Sequence, residues 1–508
     1  MAEIGQSVRK YVPGFHGEVL AMRVLLIVPG TYSWRYPGRV QPHTGIAYLT
    51  GILKKNGIEV KILDMGLKYH AKQLFSTLDV FRPQLIGITV FSLFHKRAYD
   101  LIDNIKNYGD YQVVLGGPHI SAIGGGALRK SEADFAIKGE GEETLLQLCE
   151  TIGEAKTDYS NIQGLIWKSD CGVLENDARP FIDNLDTLPF PAYEEFPLEK
   201  YSCYQDKILP IITSRGCSQH CIFCSVRLCM GRKFRPRSPE NVVAEIEHWY
   251  EKGWKNFQFQ DDNFTCDIDR ARRICELIVS KNLVIKWSLP NGVRADKLDR
   301  ELLEKMRESG CFRIALGVES ANNDVLRRIK KGIKIERVEE IVKMIKQVGM
   351  ELVGFFIVGH PTETYERFME SVEFARRMPF DQVSFWNMIP YPGTELLQWV
   401  RDNATLLYPE EVYLNRASHC EGRPVFETAD FSAQERRRAY QLGRSLERKS
   451  IAYWKTGKFW GRIGLVISSF PILERIMIRL IKTNRIGRFF FKVLSSRTEE
   501  NRTGTCAK

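Results

Sequence analysis

Three thiols stand within eight residues in the stretch Thr213-Ser214-Arg215-Gly216-Cys217-Ser218-Gln219-His220-Cys221-Ile222-Phe223-Cys224. Thiolates ligate zinc or the irons of an iron–sulfur cluster, and ligand number separates the two. A structural zinc takes four donors, whereas a cubane held by three cysteines keeps one iron open to another ligand. The zinc reading needs a fourth cysteine, and Cys203 or Cys229 are the nearest in sequence. The cluster reading asks the protein for an open coordination position and a cavity that excludes water.

Such a loop has to be carried by a strand end. Ile208 to Thr213 reads as a buried strand stopped at Gly216, so the cysteines lie just past its carboxyl end, where α/β barrels keep their chemistry. Further strands are expected at Phe257–Gln260, Ile285–Leu289, Phe312–Val318, Leu352–Val358 and Val383–Met388, with helices near 239–252, 268–281, 297–309, 335–348 and 363–377. The polar residues after these strands come in register. Asp261-Asp262-Asn263-Phe264, Asn291-Gly292-Val293-Arg294, Gly317-Val318-Glu319-Ser320, Gly359-His360-Pro361 and Pro390-Tyr391-Pro392-Gly393-Thr394 would ring one cavity. Taken singly, each is as readily a loop cap or a surface ion pair.

The spacing Cys-x3-Cys-x2-Cys, with Phe223 before the last cysteine, resembles the signature of the radical S-adenosylmethionine enzymes. The resemblance implies a partial (β/α)6 barrel over residues 207–400 and a [4Fe-4S] cluster on Cys217, Cys221 and Cys224. The open iron would chelate S-adenosylmethionine and split it to a 5′-deoxyadenosyl radical. It also implies Phe223 among the cofactor contacts, Asp261 and Asp262 near the amino group of S-adenosylmethionine, Arg294 near its carboxylate, and Glu319 or Ser320 near its ribose. A sulfonium zwitterion calls for such an acid, guanidinium fork and hydroxyl. Cys266, Cys275 and Cys311 have no close partner in sequence and are expected to be buried structural thiols.

Residues 22–151 alternate short apolar runs (Val24–Val28, Val60–Leu63, Leu85–Val90, Val113–Leu115, Phe135–Ile137) with helical stretches near 45–56, 94–107, 120–130 and 142–151. Five buried strands with intervening helices make a doubly wound parallel sheet, whose ligands sit beyond the strands' carboxyl ends. Pro42-His43-Thr44-Gly45, Thr89 with Ser92, Gly116-Gly117-Pro118-His119 and Gly139-Glu140-Gly141 resemble the cobalamin-binding domain of the cobalamin-dependent members of the family. Gly45, Thr89, Ser92, Gly116, Gly117, His119, Glu140 and Gly141 are therefore expected near cobalamin. The Asp-x-His-x-x-Gly of proteins that ligate cobalt through histidine is missing, so no histidine is expected on cobalt, and His119 reads as a loop histidine that hydrogen-bonds.

Residues 1–21 read as an extension, 152–206 as a connector with a β-like patch at Gly164–Trp167 and a stiff Pro-rich segment at 183–191, and 401–508 as a helical, basic C-terminal region. The net charge of +11 resides mostly in one segment: residues 451–497 hold ten basic residues and one acid. That location argues against a nucleic-acid surface on the rest of the chain. Bulky apolar residues between the cations suit a membrane surface, while a helix packed on the barrel with a solvated basic face is the alternative. No secretory signal or run long enough to span a bilayer is evident, and cysteines at metal-ligand spacing point to a reducing cytoplasm.

The chain is thus expected to be a radical S-adenosylmethionine enzyme that methylates an unactivated carbon of a hydrophobic small molecule or lipid, with cobalamin carrying the methyl group. A ferredoxin or flavodoxin would supply electrons. The family also implies an alternative without methyl transfer, oxidative ring closure as in the anaerobic magnesium-protoporphyrin cyclases. A methylthiotransferase fits less well, for want of that group's N-terminal cysteines. A non-catalytic iron–sulfur or zinc protein at a membrane is the reading from another class.

Overall fold

Apolar runs too short for a helix and flanked by turn residues fold as strands covered on both faces, and here they build two sheets. The computed structural model describes residues 22–30, 41–67, 71–204, 206–415 and 422–468. The chain divides into two units, Met1–Lys207 with Ser225–Gly231, and Ile208–Cys224 with Arg232–Lys508.

In the first unit β1 (Arg23–Val28), α1 (Thr44–Lys55), β2 (Glu59–Asp64), α2 (Ala71–Phe81), β3 (Leu85–Thr89), α3 (His95–Tyr108), β4 (Gln112–Gly116), α4 (Pro118–Ile123), α5 (Gly126–Arg129), β5 (Phe135–Ile137) and α6 (Glu142–Gly153) follow one another. Two strands come after them, β6 (Leu165–Ser169) and β7 (Gly172–Glu175). The order is β2-β1-β3-β4-β5-β6-β7, parallel through β5 and antiparallel beyond it. Leu25, Ile27, Ile86, Ile88, Val113 and Leu115 fill the core. The direction of winding reverses between β1 and β3, so the crevice beyond those strand ends is where a ligand of this topology sits.

The expected connector departs from an extended linker. Leu165 and Ile166 are buried, and their strand pairs with β5, which would otherwise be an open edge. The segment beyond is tied back to the same unit: Ala192 N donates to Ala47 O (3.0 Å), the Tyr201 hydroxyl to Asp64 (2.8 Å), and the Tyr193 hydroxyl to Thr44 (3.2 Å). Tyrosines that bury a ring and place the hydroxyl on a partner explain why a Pro-rich stretch adheres to the sheet.

The second unit begins with β8 (Ile208–Ile211) and the two-residue β9 (Ser214–Arg215); the short α7 (Val226–Cys229) lies in the excursion counted with the first unit. Then come β10 (Arg235–Pro236), α8 (Pro239–Glu251), β11 (Asn256–Phe259), α9 (Ile268–Ser280), β12 (Lys286–Val293), α10 (Arg300–Glu308), β13 (Cys311–Glu319), α11 (Asn323–Arg328), α12 (Ile335–Gln347), β14 (Glu351–Val358), α13 (Tyr365–Arg377), β15 (Gln382–Asn387) and α14 (Glu395–Asn403). Six strands run in the order β15-β14-β13-β12-β11-β8, every neighbouring pair parallel, as a partial barrel requires. Side chains of Ser238, Asp267, Asp299, Asn322, Thr364 and Thr394 cap helix starts, which is why the helices begin where they do. The register of β12 against β13 shifts between Leu289 and Val293, where Pro290 has no N–H to give the ladder.

Residues beyond 400, expected as a separate helical region, include β16 (Thr405–Leu406), α15 (Glu410–Asn415), β17 (Phe426–Glu427) and α16 (Ala433–Ser468). Helix α16 covers the exposed edge of β15. Val383 N donates to Ser450 Oγ at 3.1 Å and Phe385 N to Glu447 Oε2 at 3.4 Å, so helix side chains replace the missing neighbour strand. Gly443 lets the helix approach, since a Cβ there would lie 2.5 Å from Phe385 Cγ. No helix among the described residues is long and apolar enough to cross a membrane. The basic segment 451–497 lies outside the described residues beyond Ser468.

Candidate active site

The platform for the cysteine loop is the end of β8. Asp261, just past β11, accepts hydrogen bonds from Thr213 N (2.6 Å), Thr213 Oγ1 and Ser214 Oγ. Two buried arginines hold the far side: Arg237 N and Arg270 Nη2 donate to Thr213 O, and Arg237 also pairs with fully buried Glu245. Gly216 then turns at φ +82°, a conformation that suits glycine. Farther along, Ile222 N donates to Ile329 O (3.2 Å) and Leu396 N to Ile222 O (3.0 Å), so the loop is clamped at both ends.

Cys217, Cys221 and Cys224 stand half-buried on that loop. Burial raises the thiols of Cys217 and Cys221; for Cys221, the Lys331 and Arg294 cations act in the opposite direction. Among the described residues no three His, Cys, Asp or Glu side chains are gathered as a metal-holding set. The donor chemistry nevertheless fits an iron–sulfur cluster: three soft sulfur ligands on one clamped loop at a strand's carboxyl end. Cys203 and Cys229, the fourth-ligand candidates for zinc, are buried on segments belonging to the other unit.

Around the loop several of the residues expected at S-adenosylmethionine have partners within the fold. Asp261 was expected beside the adenosylmethionine amino group, yet its oxygens are turned to Thr213 and Ser214. Asp262 is the acid left over, bonded from Gly216 N, and burial with the neighbouring Asp261 charge lifts its carboxyl to about 6. Arg294 was expected at the carboxylate, yet its guanidinium grips Asp296 (2.9 and 3.1 Å) and donates to Lys331 O (2.6 Å). Ser320 was expected at the ribose, yet it is fully buried and its hydroxyl accepts from Asn322 N.

Glu319 keeps a place at the cavity. It ends β13 in a left-handed conformation (φ +65°), costly for a side-chain-bearing residue, and forms a buried 2.7 Å ion pair with Lys331. Burial opposes the charge on Lys331, but the Glu319 carboxylate outweighs it and holds the amine above its ordinary range. His360, past β14, shares a hydrogen bond between its Nε2 and the Glu319 carbonyl (3.2 Å), steadying that backbone. A cavity of about 340 Å³ opens beside Phe223 and Glu319, lined by Phe355, Ile357, Trp386, Asn387, Met388, Ile389 and Tyr391. Its walls are mainly apolar, with Asn387 and Glu319 as polar groups.

Lys331 was missed in the sequence. It sits in Arg327-Arg328-Ile329-Lys330-Lys331-Gly332, a run that reads as solvated surface, and nothing in the letters marks the one cation that is buried. Cys266 also differs from expectation. It is half exposed, its Sγ lies 3.8 Å from Ser218 Oγ, and its charge is felt at Cys217, whereas Cys275 and Cys311 are buried as expected.

At the strand ends of the first unit the construction is different. Gly116 closes β4 with nothing within 4 Å of where a Cβ would stand. Gly117 (φ +100°) passes so close to β3 that a Cβ would lie 3.0 Å from Thr89 Oγ1 and Val90 O. Gly45 is exposed at the start of α1, whose first turn is capped by His43 Nδ1 accepting from Ile46 N (3.1 Å). Burial holds His43 neutral, down to about 4. His119 shares a hydrogen bond with Ser92 Oγ (3.2 Å) and stacks on His95, with ring centroids 4.5 Å apart. Burial, with His95 and Lys130 nearby, drops it to about 3. Glu140 is buried, with one oxygen accepting from Ile182 N (2.8 Å), and Gly141 starts α6. Side-chain-free backbone over open space is a cradle that a large flat ligand fits, as cobalamin is.

Two family profiles match: the radical SAM superfamily over residues 211–375 and the B12 binding domain over residues 37–149. The chain is 31% identical over 440 residues to an uncharacterized methyltransferase of Pyrococcus horikoshii, covering 85% of this chain and 92% of that one. It is 29% identical to the cytidylyl-2-hydroxyethylphosphonate methyltransferase of Streptomyces wedmorensis, covering 74% and 81%. Among solved structures it is similar to the cobalamin-dependent S-adenosylmethionine radical enzyme OxsB, with a TM-score of 0.70 at 18% identity, over 96% of this chain and 72% of that one.

Proposed function

The chain belongs to the radical S-adenosylmethionine enzymes that carry a B12-binding domain, and from that premise we propose that it is a C-methyltransferase acting on an unactivated carbon of a hydrophobic small molecule. The observation that carries this reading is the apolar cavity beside Phe223, next to the last loop cysteine, and Glu319. When bound, the cluster supplies the electron that splits S-adenosylmethionine, and cobalamin carries the methyl group.

The chain's own residues account for binding and exclusion of water. Cys217, Cys221 and Cys224 hold the cluster on a loop clamped through Ile222. With Arg294 turned to Asp296, the buried Lys331 is the cation we assign to the adenosylmethionine carboxylate, and Asp262 is the acid we assign to its amino group. Glu319 presents its side chain to the ribose from a backbone that His360 steadies. Phe355, Ile357 and Trp386 form the dry wall in which a reacting carbon is shielded from solvent. In the first unit, Gly116 and Gly117 offer backbone to cobalamin, with Thr89 and Ser92 as short hydroxyl partners.

The test is anaerobic reconstitution with iron, sulfide, cobalamin and S-adenosylmethionine. The expected result is 5′-deoxyadenosine above a Cys221→Ala control and, in extracts from cells with and without the gene, a product heavier by one CH2. A product lighter by two hydrogens would instead assign ring closure. No 5′-deoxyadenosine above the control would favour a non-catalytic metal protein.

A further inference from the structure

The first turn of α16 reaches the barrel rim through one buried side chain. Arg436 is 2% exposed and lies over the rings of Phe426 and Phe431, 4.4 and 4.9 Å from their centroids. Its Nε donates to Phe431 O (2.9 Å) and its Nη1 to Gly359 O (2.8 Å), just past the end of β14 and 77 residues earlier in the chain. Burial lowers the guanidinium to about 10, with Glu363 and Glu427 acting in the opposite direction, so it is charged at neutral pH. The same peptide unit is held from its other end: His360 N donates to Glu363 Oε2 (3.1 Å), which also accepts from Gly359 N (2.7 Å). A planar peptide whose carbonyl and N–H are both engaged resists rotation. Gly359 stands at φ +93°, and a Cβ there would collide with Arg436, so this approach needs glycine.

From that peptide the His360 ring reaches Glu319. A carbonyl can only accept, so Nε2 carries the proton in its hydrogen bond with Glu319 O (3.2 Å). His360 Nδ1 is buried with no partner among the described residues, which leaves the ring tied through Nε2. Glu319 in turn holds an unfavourable φ of +65° while its carboxylate pairs with Lys331. We propose that Arg436 is a positioning residue for S-adenosylmethionine: from the C-terminal helix it fixes the Gly359–His360 peptide, and through His360 the strained backbone that aims Glu319. The inference rests on the assignment of Glu319 and Lys331 to that ligand, and it gives the segment beyond residue 400 a part in the site.

The experiment compares full-length Arg436→Met, Arg436→Lys and Arg444→Met with wild type. Arg444 lies farther along α16 and pairs with Glu447, which takes the Phe385 N–H, so its loss loosens the same helix away from the Gly359 loop. Amide hydrogen exchange is first followed by mass spectrometry in protein without cluster or ligand. Arg436→Met should speed exchange at least about tenfold in the peptides spanning 355–363 and 314–322, whereas Arg444→Met should do so only near 382–387. The reconstituted enzymes are then titrated with S-adenosylmethionine. Arg436→Met should raise the KM for 5′-deoxyadenosine formation at least about tenfold with kcat per cluster within about twofold of wild type. Arg436→Lys, which keeps one charged donor for Gly359 O, should fall between the two, and Arg444→Met should match wild type in KM. Unchanged exchange over 314–322, an unchanged KM in both Arg436 variants, or an equal rise in Arg444→Met would overturn the positioning role. A wild type that binds no S-adenosylmethionine, with the exchange difference intact, would instead overturn the assignment of Glu319 and Lys331, and so the ligand named here.

Discussion

The two parallel sheets prepare their carboxyl ends in opposite ways. In the N-terminal sheet the rim is made by leaving side chains out: Gly116 faces open space, Gly117 hugs Thr89, and the titratable groups present, His43, His119 and Glu140, are turned to hydrogen bonds within the fold. In the barrel the rim is crowded with charge, and most of it, Asp261, Arg294, Arg237 and Arg270, is engaged in holding backbone so that three thiols and one ion pair stand in place. A large flat ligand is received by absence of side chains. A small zwitterion on a cluster needs presence, and the presence has to be buttressed.

The sharpest break between the two rims is the thiols. Alanine at Cys217, Cys221 or Cys224 should abolish iron incorporation, measured as bound iron and chromophore, while cobalamin binding by the first unit is retained; loss of both would mean that the rims are not independent. Next is the buried pair. Lys331→Met strands the Glu319 carboxylate in a dry site and should cost about 3–5 kcal/mol in a denaturant titration. It should also weaken S-adenosylmethionine binding in calorimetry, whereas Arg294→Lys should affect the melt more than the affinity.

The glycine rim gives a subtler division. At Gly116→Ala the added Cβ meets no atom within 4 Å, so thermal stability should hold while cobalamin affinity falls. Gly117→Ala must adopt φ +100° with its Cβ against Thr89 and Val90 and should lose about 1–3 kcal/mol before any ligand is added. Equal behaviour of the two variants would erase the distinction between open cradle and tight packing.

An effect of similar size, but confined to a pH window, concerns Glu363, which is fully buried behind the barrel rim, accepts from Gly359 N and His360 N, and is raised by burial to about 7. A raised carboxyl stabilises the fold below its unfolded value of 4.5, and that contribution is lost as pH climbs toward 7. His43, His119 and His360, held down near 4, 3 and 4, act with the opposite sign, losing stability as pH falls below 6.5. Comparing Glu363→Gln with wild type isolates the first term: the variant should gain about 1–3 kcal/mol on wild type between about pH 5 and pH 7 in urea melts.

Much of this was legible in the chain itself. Strands buried on both faces announce themselves as unbroken apolar runs, so Leu85–Thr89, Cys311–Glu319 and Glu351–Val358 emerge within a residue or two of where the letters put them. The cysteine loop was readable because a short spacing with soft donors has few other uses. The partners of charged side chains were not readable. Whether Asp261 faces a ligand or Thr213, and whether Arg294 or Lys331 is the available cation, depends on contacts across 12 to 48 residues of sequence. The β6–β7 hairpin and α16 were read as linker and tail because covering a sheet edge leaves no period in the covering segment.

The central claim is that three protein thiols leave one iron open to S-adenosylmethionine. Its most direct test is electron paramagnetic resonance of the reduced, anaerobically reconstituted enzyme, before and after adding S-adenosylmethionine labelled at its amino nitrogen and carboxylate oxygen. The account predicts a shifted cluster signal with hyperfine coupling to both labels. An unchanged signal, or a zinc held by Cys217, Cys221, Cys224 and a fourth thiolate, would contradict it.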